Sequence, residues 1–134
     1  MAKFSWSDDL GSGNLMIDSD HKHLINLVNK LNDAMVGGKG NTIVGDVLDE
    51  LIAYTVSHFG REEKLMQQIA YVDYASHKAE HDKLVAEVSE LKRNFQSGSL
   101  TLSSKVYIFL CDWLNKHIKS RDKLLGNAAK ATKV

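Results

Sequence analysis

Residues 41–68 read NTIVGDVLDELIAYTVSHFGREEKLMQQ, and this stretch decides the fold. Val44, Leu48, Leu51, Thr55, His58, Glu62, Leu65 and Ile69 recur at intervals of three and four, the spacing that lines up one face of an α-helix. The same spacing appears in three further segments. One runs over about 18–36 with His21, Leu24, Val28, Leu31 and Met35; another over about 73–95 with Tyr74, His77, His81, Leu84, Val88, Leu91 and Phe95. The last runs over about 100–119 with Val106, Leu110, Trp113 and His117. Gly37, Gly38 and Gly40, and the run Gln96-Ser97-Gly98-Ser99, read as loops between helices. Asp18 and Asn41 are candidate N-caps, as are Asp73 or Ser76 for the third helix, because their side chains can accept from free first-turn N–H groups.

Short connections force neighbouring helices to run antiparallel, so the expected fold is all-α: an up-down-up-down antiparallel four-helix bundle. It forms a single domain over 1–134, with an irregular N-terminal arm over about 1–17, the bundle over about 18–122 and a frayed or loosely docked tail over about 123–134. Phe4 and Trp6 are expected to pack the arm onto the bundle. The absence of proline is what a mostly helical chain permits.

Composition narrows the function. With 17 Lys+Arg against 17 Asp+Glu the net charge is zero, which removes any composition-based case for binding nucleic acid or an anionic membrane surface. One cysteine, Cys111, excludes an internal disulfide framework and a multi-cysteine zinc site; it reads as a small buried hydrophobe. No apolar run approaches the roughly 20 residues that span a bilayer. The first residues lack a secretory apolar region, so a cytoplasmic protein without membrane insertion is expected.

The chemistry lies in polar residues at positions where a bundle wants leucine. His21, His58, His77, His81 and His117 all fall on the apolar stripes, and Glu62 joins them. Burying one polar group without a partner costs a few kcal/mol, and a bare carboxylate costs more. A metal satisfies imidazole nitrogens and carboxylate oxygens together. His58 and Glu62 are four apart, as are His77 and His81, so each pair lies within about 40° on one face and can reach one centre. His117 and Asp122 are five apart, about 140° round an ideal helix, and converge only if the helix loosens or ends between them. Five histidines and two carboxylates are too many for one ion, and two carboxylates can bridge a pair. Imidazole-rich ligation suits iron, copper, zinc or nickel. His23 lies off the stripe and reads as a surface residue; Lys78, Glu80, Lys83 and Glu87 read as a solvated face.

Four stretches carry a family resemblance: residues 17–22 (Ile-Asp-Ser-Asp-His-Lys), 58–66 (His-Phe-Gly-Arg-Glu-Glu-Lys-Leu-Met), 77–81 (His-Lys-Ala-Glu-His) and 113–122 (Trp-Leu-Asn-Lys-His-Ile-Lys-Ser-Arg-Asp). They resemble the motifs of the hemerythrins, and the pattern from about Trp6 to Leu124 is most similar to single-domain bacteriohemerythrins. Three positions depart from that pattern. Asp20 stands where the family usually has glutamine; Ile69-Ala70-Tyr71-Val72-Asp73-Tyr74 replaces a common Gly-Tyr-Pro turn; and Leu124 follows Asp122-Lys123 where an aromatic residue is frequent.

The resemblance implies reversible dioxygen binding at two iron ions joined by an oxo or hydroxo bridge. Carried over by position, His77, His81 and His117 serve one iron, and His21 and His58 the other; Glu62 and Asp122 bridge both. Two octahedral ions need about twelve ligand positions, and this set with one shared solvent oxygen fills about eleven. The free position falls on the ion held by His21 and His58, where the resemblance places dioxygen. Phe59, Trp113, Leu114, Ile118, Leu24 and Ile25 flank the ligands and form the expected apolar oxygen pocket, with Leu114 as its gate.

The leading expectation is therefore a monomeric, non-enzymatic dioxygen carrier, store or supplier, with an oxygen-using enzyme as recipient. The alternatives are a di-iron enzyme acting on peroxide or nitric oxide, and an oxygen- or redox-sensing or iron-handling module.

Overall fold

The structure, a computed structural model, describes residues 4–38, 41–97 and 104–132. Five α-helices are present among the described residues: α1 (Leu15–Val36), α2 (Asn41–Gln68), α3 (Tyr74–Gln96), α4 (Ser104–His117) and α5 (Lys123–Ala131). Helices α1 to α4 form the all-α four-helix bundle; α1 packs on α2 and α4, and α2 packs on α3. The expected Asn41 cap, the start of the fourth helix at Leu100 and the stripe position Val106 lie outside the described residues and side chains.

The first helix starts earlier than expected. Asn14, not Asp18, caps it, its side chain accepting from the Ile17 N–H at 3.0 Å. Gly13, at φ 84°, turns the chain into that cap. Asp18 instead accepts from the Ser12 N–H (2.8 Å) and hydroxyl (2.7 Å), tying the arm to the helix. The arm is more ordered than its glycines suggest: Asp8–Leu10 form one 3-10 turn with Leu10 buried, and Phe4 and Trp6 pack against the core. Neither Asp73 nor Ser76 caps α3 through its side chain; the Asp73 carbonyl accepts from the His77 N–H at 2.9 Å.

Helix α2 ends where the Gly-Tyr-Pro turn is replaced. Ala70 takes a left-handed conformation, φ 51°. The Tyr71 N–H reaches back to the Met66 carbonyl (2.9 Å) and the Ala70 N–H to that of Gln67 (3.2 Å), closing a Schellman cap without glycine.

The expected break in helical geometry follows His117, and the largest difference from expectation follows Asp122. Residues Ile118–Asp122 form one π-helical turn, and the chain then continues as α5. The expected loose tail is a docked helix. Leu125 and Ala129 are fully buried, and Gly126 crosses the arm so closely that an added Cβ would meet the Ser12 carbonyl oxygen at 2.2 Å. Of the three residues that α5 buries, two are the small Gly126 and Ala129.

The apolar core has two parts. One holds Leu24, Val28, Leu48, Leu51, Leu84, Val88, Leu110 and Leu114; the other holds Ile17, Leu65, Met66, Leu125 and Ala129. In α1 and α2 the buried histidines and acids fall between them, and His117 and Asp122 fall between Leu114 of the first part and Leu125 of the second. The fold thus encloses a polar layer between two apolar plugs, and α5 completes the second.

Candidate metal centre

Seven side chains form that layer, drawn from all four helices and the π turn: His21, His58, Glu62, His77, His81, His117 and Asp122. None is more than 3% exposed. Their donor atoms make two overlapping groups, each with all members within 4.8 Å of one another. The first is Glu62, His77, His81, His117 and Asp122; the second is His21, His58, Glu62 and Asp122. Both carboxylates belong to both groups. The five-residue gap between His117 and Asp122 closes because the π turn inserts one extra residue, and His117 Nε2 lies 3.1 Å from Asp122 Oδ1.

Apart from His21 Nε2, which is hydrogen-bonded to Asp122 Oδ2 at 2.6 Å, most of these atoms meet without pairing. His77 Nε2 stands 3.0 Å from Asp122 Oδ1 and 3.7 Å from Glu62 Oε1, yet it makes no hydrogen bond. His58 Nε2 and both Glu62 oxygens are likewise buried without a hydrogen bond. His81 Nε2 and His117 Nε2, two like ring nitrogens, face each other at 3.2 Å. Atoms this close but misaligned point at shared space, not at one another. Leaving so many buried polar atoms unpaired would cost several kcal/mol, whereas cations between them would satisfy the set. The residues fit a pair of metal ions.

The electrostatics agree. Burial, and then the Asp122 charge, push the Glu62 carboxyl well above the ordinary carboxylate range. Burial opposes ionisation of Asp122 too, but His117, His21 and His77 hold it well below that range. His81 is lowered to about 2 by burial and by the neighbouring His117 and His77, which keeps its ring neutral and its lone pair free. Metal ligation requires a neutral imidazole.

Three further carboxylates approach the rings from outside, two of them within hydrogen-bond distance, and sequence reasoning missed most of this. Asp20 on α1 accepts from His58 Nδ1 on α2 at 2.8 Å; Glu63 on α2 accepts from His81 Nδ1 on α3 at 3.0 Å. Glu80 on α3 stands 3.6 Å from His117 Nδ1 on α4 and pairs with Arg121. Glu80 is thus not part of a purely solvated face. The available signal was adjacency: each acid sits next to a ligand candidate in sequence but lies beside the ring on the following helix. His23 is exposed, as expected, and its ring packs on Tyr54.

An apolar cavity of about 30 Å³ adjoins the layer, lined by Leu24, Phe59, Trp113 and Leu114 together with Val28, Leu51 and other aliphatic residues. Ile25 and Ile118, also expected there, are buried but do not line it: each follows a stripe residue and is turned about 100° from it. Phe59 stacks on His81 (ring centroids 3.8 Å apart) and Trp113 on His117 (4.6 Å), so two aromatic walls rest directly on candidate ligands. The one polar side chain in the lining, Thr55, spends its hydroxyl on the Leu51 carbonyl at 2.7 Å.

Comparison with known proteins gives one answer. The hemerythrin HHE cation binding domain profile matches residues 13–129. A bacteriohemerythrin of Methylococcus capsulatus is 41% identical over 127 residues, 94% of this chain and 96% of that one. A bacteriohemerythrin of Stenotrophomonas maltophilia is 36% identical, over 98% of this chain and 84% of its own length. The crystal structure of a wild-type hemerythrin superposes with a TM-score of 0.90 at 39% identity, covering 95% of this chain and 98% of that one. With the matched profile spanning most of its length and the ligand-like layer at its centre, the chain belongs to the hemerythrin family.

Proposed function

We propose that this chain binds dioxygen reversibly at a non-haem pair of iron ions, for carriage, storage or supply. His77, His81 and His117 would hold one ion, His21 and His58 the other, and Glu62 and Asp122 would be shared. The observation that carries this reading is the pair of donor groups with both carboxylates in common, set beside a small apolar cavity. When bound, the iron pair supplies the reversible electron transfer that attracts dioxygen.

The chain's own residues do the rest. The cavity has room for a molecule little larger than water. Leu24, Trp113 and Leu114 present it with hydrocarbon and indole surface, which disfavours water. Thr55 has no free proton to offer, since its hydroxyl donates within its own helix. A lining without an acid favours release of the ligand unchanged over its reduction.

Metal analysis should find two irons per chain, and the reduced protein should change its optical spectrum in air and regain it on evacuation. His77→Ala or Glu62→Ala should abolish iron loading, while His23→Ala should leave it intact. Equal loss from His23→Ala would overturn the ligand assignment.

A further inference from the structure

Asp20 carries more than its place beside His21 explains. It is 6% exposed, and three donors converge on its carboxylate. Oδ1 accepts from the Tyr54 hydroxyl at 2.7 Å; Oδ2 accepts from Arg61 Nε at 2.8 Å and contacts His58 Nδ1 at 2.8 Å. Arginine can only donate, and an ionised carboxylate can only accept. The His58 ring nitrogen must therefore be the donor, which leaves its Nε2 lone pair facing the centre. Donors from Tyr54, Arg61 and His58 thus satisfy an ionised Asp20 carboxylate in its buried setting.

Arg61 is itself held. Its Nη1 donates to Ser57 at 2.5 Å, and its guanidinium lies 5.3 Å from the Tyr54 ring centroid. The negative charge is therefore fixed in position and direction by two neighbours. His21, the other imidazole of the four-residue group, has no such support: its Nδ1 makes no hydrogen bond. The two rings of that group are unequal.

We propose that Asp20 is a positioning residue that fixes His58 in its Nδ1–H form and makes it the stronger electron donor of the two-histidine site. An anionic acceptor on the outer nitrogen raises the basicity of the inner one. The site with fewer imidazoles thus gains donor strength through an indirect carboxylate. This inference rests on the metal-pair reading above.

The test has two arms. In the metal-free protein, nitrogen-15 NMR of labelled histidines should show His58 protonated at Nδ1 in the wild-type chain. A single Nε2–H form there would overturn the proposal, and this arm needs neither metal nor variant. In the second arm, chelator-treated wild type and Asp20→Asn are titrated anaerobically with Fe(II). Asn retains an acceptor oxygen but removes the charge. The weaker of the two binding steps should lose about 10–100-fold in affinity, the stronger should hold, and the reduction potential of the loaded pair should rise. Wild-type affinity and potential in Asp20→Asn would refute the proposal. Failure of the wild-type chain to take up two ions would instead refute the metal-pair reading, leaving the NMR arm to decide the role of Asp20.

Discussion

His117 Nε2 and Asp122 Oδ1 lie 3.1 Å apart although five residues separate them, because the backbone widens to a π turn over Ile118–Asp122. An ordinary helix would hold the two about 140° apart. Deleting the exposed Ser120 removes the extra residue, so an ordinary α-helical turn should hold His117 and Asp122 within about 40° and keep both in the layer, whereas inserting one alanine after Ser120 should rotate Asp122 by about 100° out of it. Iron stoichiometry should stay at two per chain in the deletion variant and fall below two in the insertion variant, with far-UV circular dichroism helical in both. Two tightly bound irons in the insertion variant would show that the register of this turn is not what delivers Asp122.

Metal removal should destabilise the protein strongly. A ligand present at 100 to 1,000 times its dissociation constant adds about 2.7–4.1 kcal/mol per site. For a chain of this size each kcal/mol shifts the melting temperature by about 3–5 °C. Chelation should therefore lower the Tm by about 10 °C or more in differential scanning calorimetry.

Ala70 occupies left-handed backbone that glycine adopts without strain. That conformation costs a Cβ-bearing residue about 1–2 kcal/mol, partly offset by the lower unfolded-state entropy of alanine. Ala70→Gly should stabilise the fold by about 0.5–1 kcal/mol in urea unfolding, with iron loading unchanged.

The reverse holds at Gly126, where a Cβ would run into the Ser12 backbone. Ser12 cannot easily withdraw, being tied to Asp18 by two hydrogen bonds. Gly126→Ala should cost about 1–3 kcal/mol by displacing α5 from the arm, measured as a lower urea midpoint.

Leu114 walls the cavity one turn before His117. Leu114→Ala should cost about 2–5 kcal/mol in stability, enlarge the cavity and speed loss of the oxygenated spectrum in air. Leu114→Phe should fill the cavity and slow oxygen uptake in stopped-flow. Unchanged uptake in Leu114→Phe would remove Leu114 as the gate.

Much of this was legible in sequence because the stripes carry their own contradiction: histidine and glutamate at leucine positions can be explained only by something buried with them. The His117–Asp122 spacing even demanded a local break in helical geometry. What sequence hid were contacts between helices. Glu63 and Glu80 look like ordinary surface acids until the neighbouring helix is in place, and Asp20, conspicuous in sequence beside His21, turns out to contact His58. The docking of α5 was hidden because two of the three residues it buries, Gly126 and Ala129, pack by being small.

The hydrogen bond between His21 Nε2 and Asp122 Oδ2, at 2.6 Å, joins residues 101 positions apart. No short peptide from this protein contains both sides of either donor group. On the proposed reading, cation capture would be a property of the assembled molecule, an event that follows the meeting of first and last rods and then latches them. A fluctuation that parts those rods would release the ions, so their retention would report on the integrity of the whole.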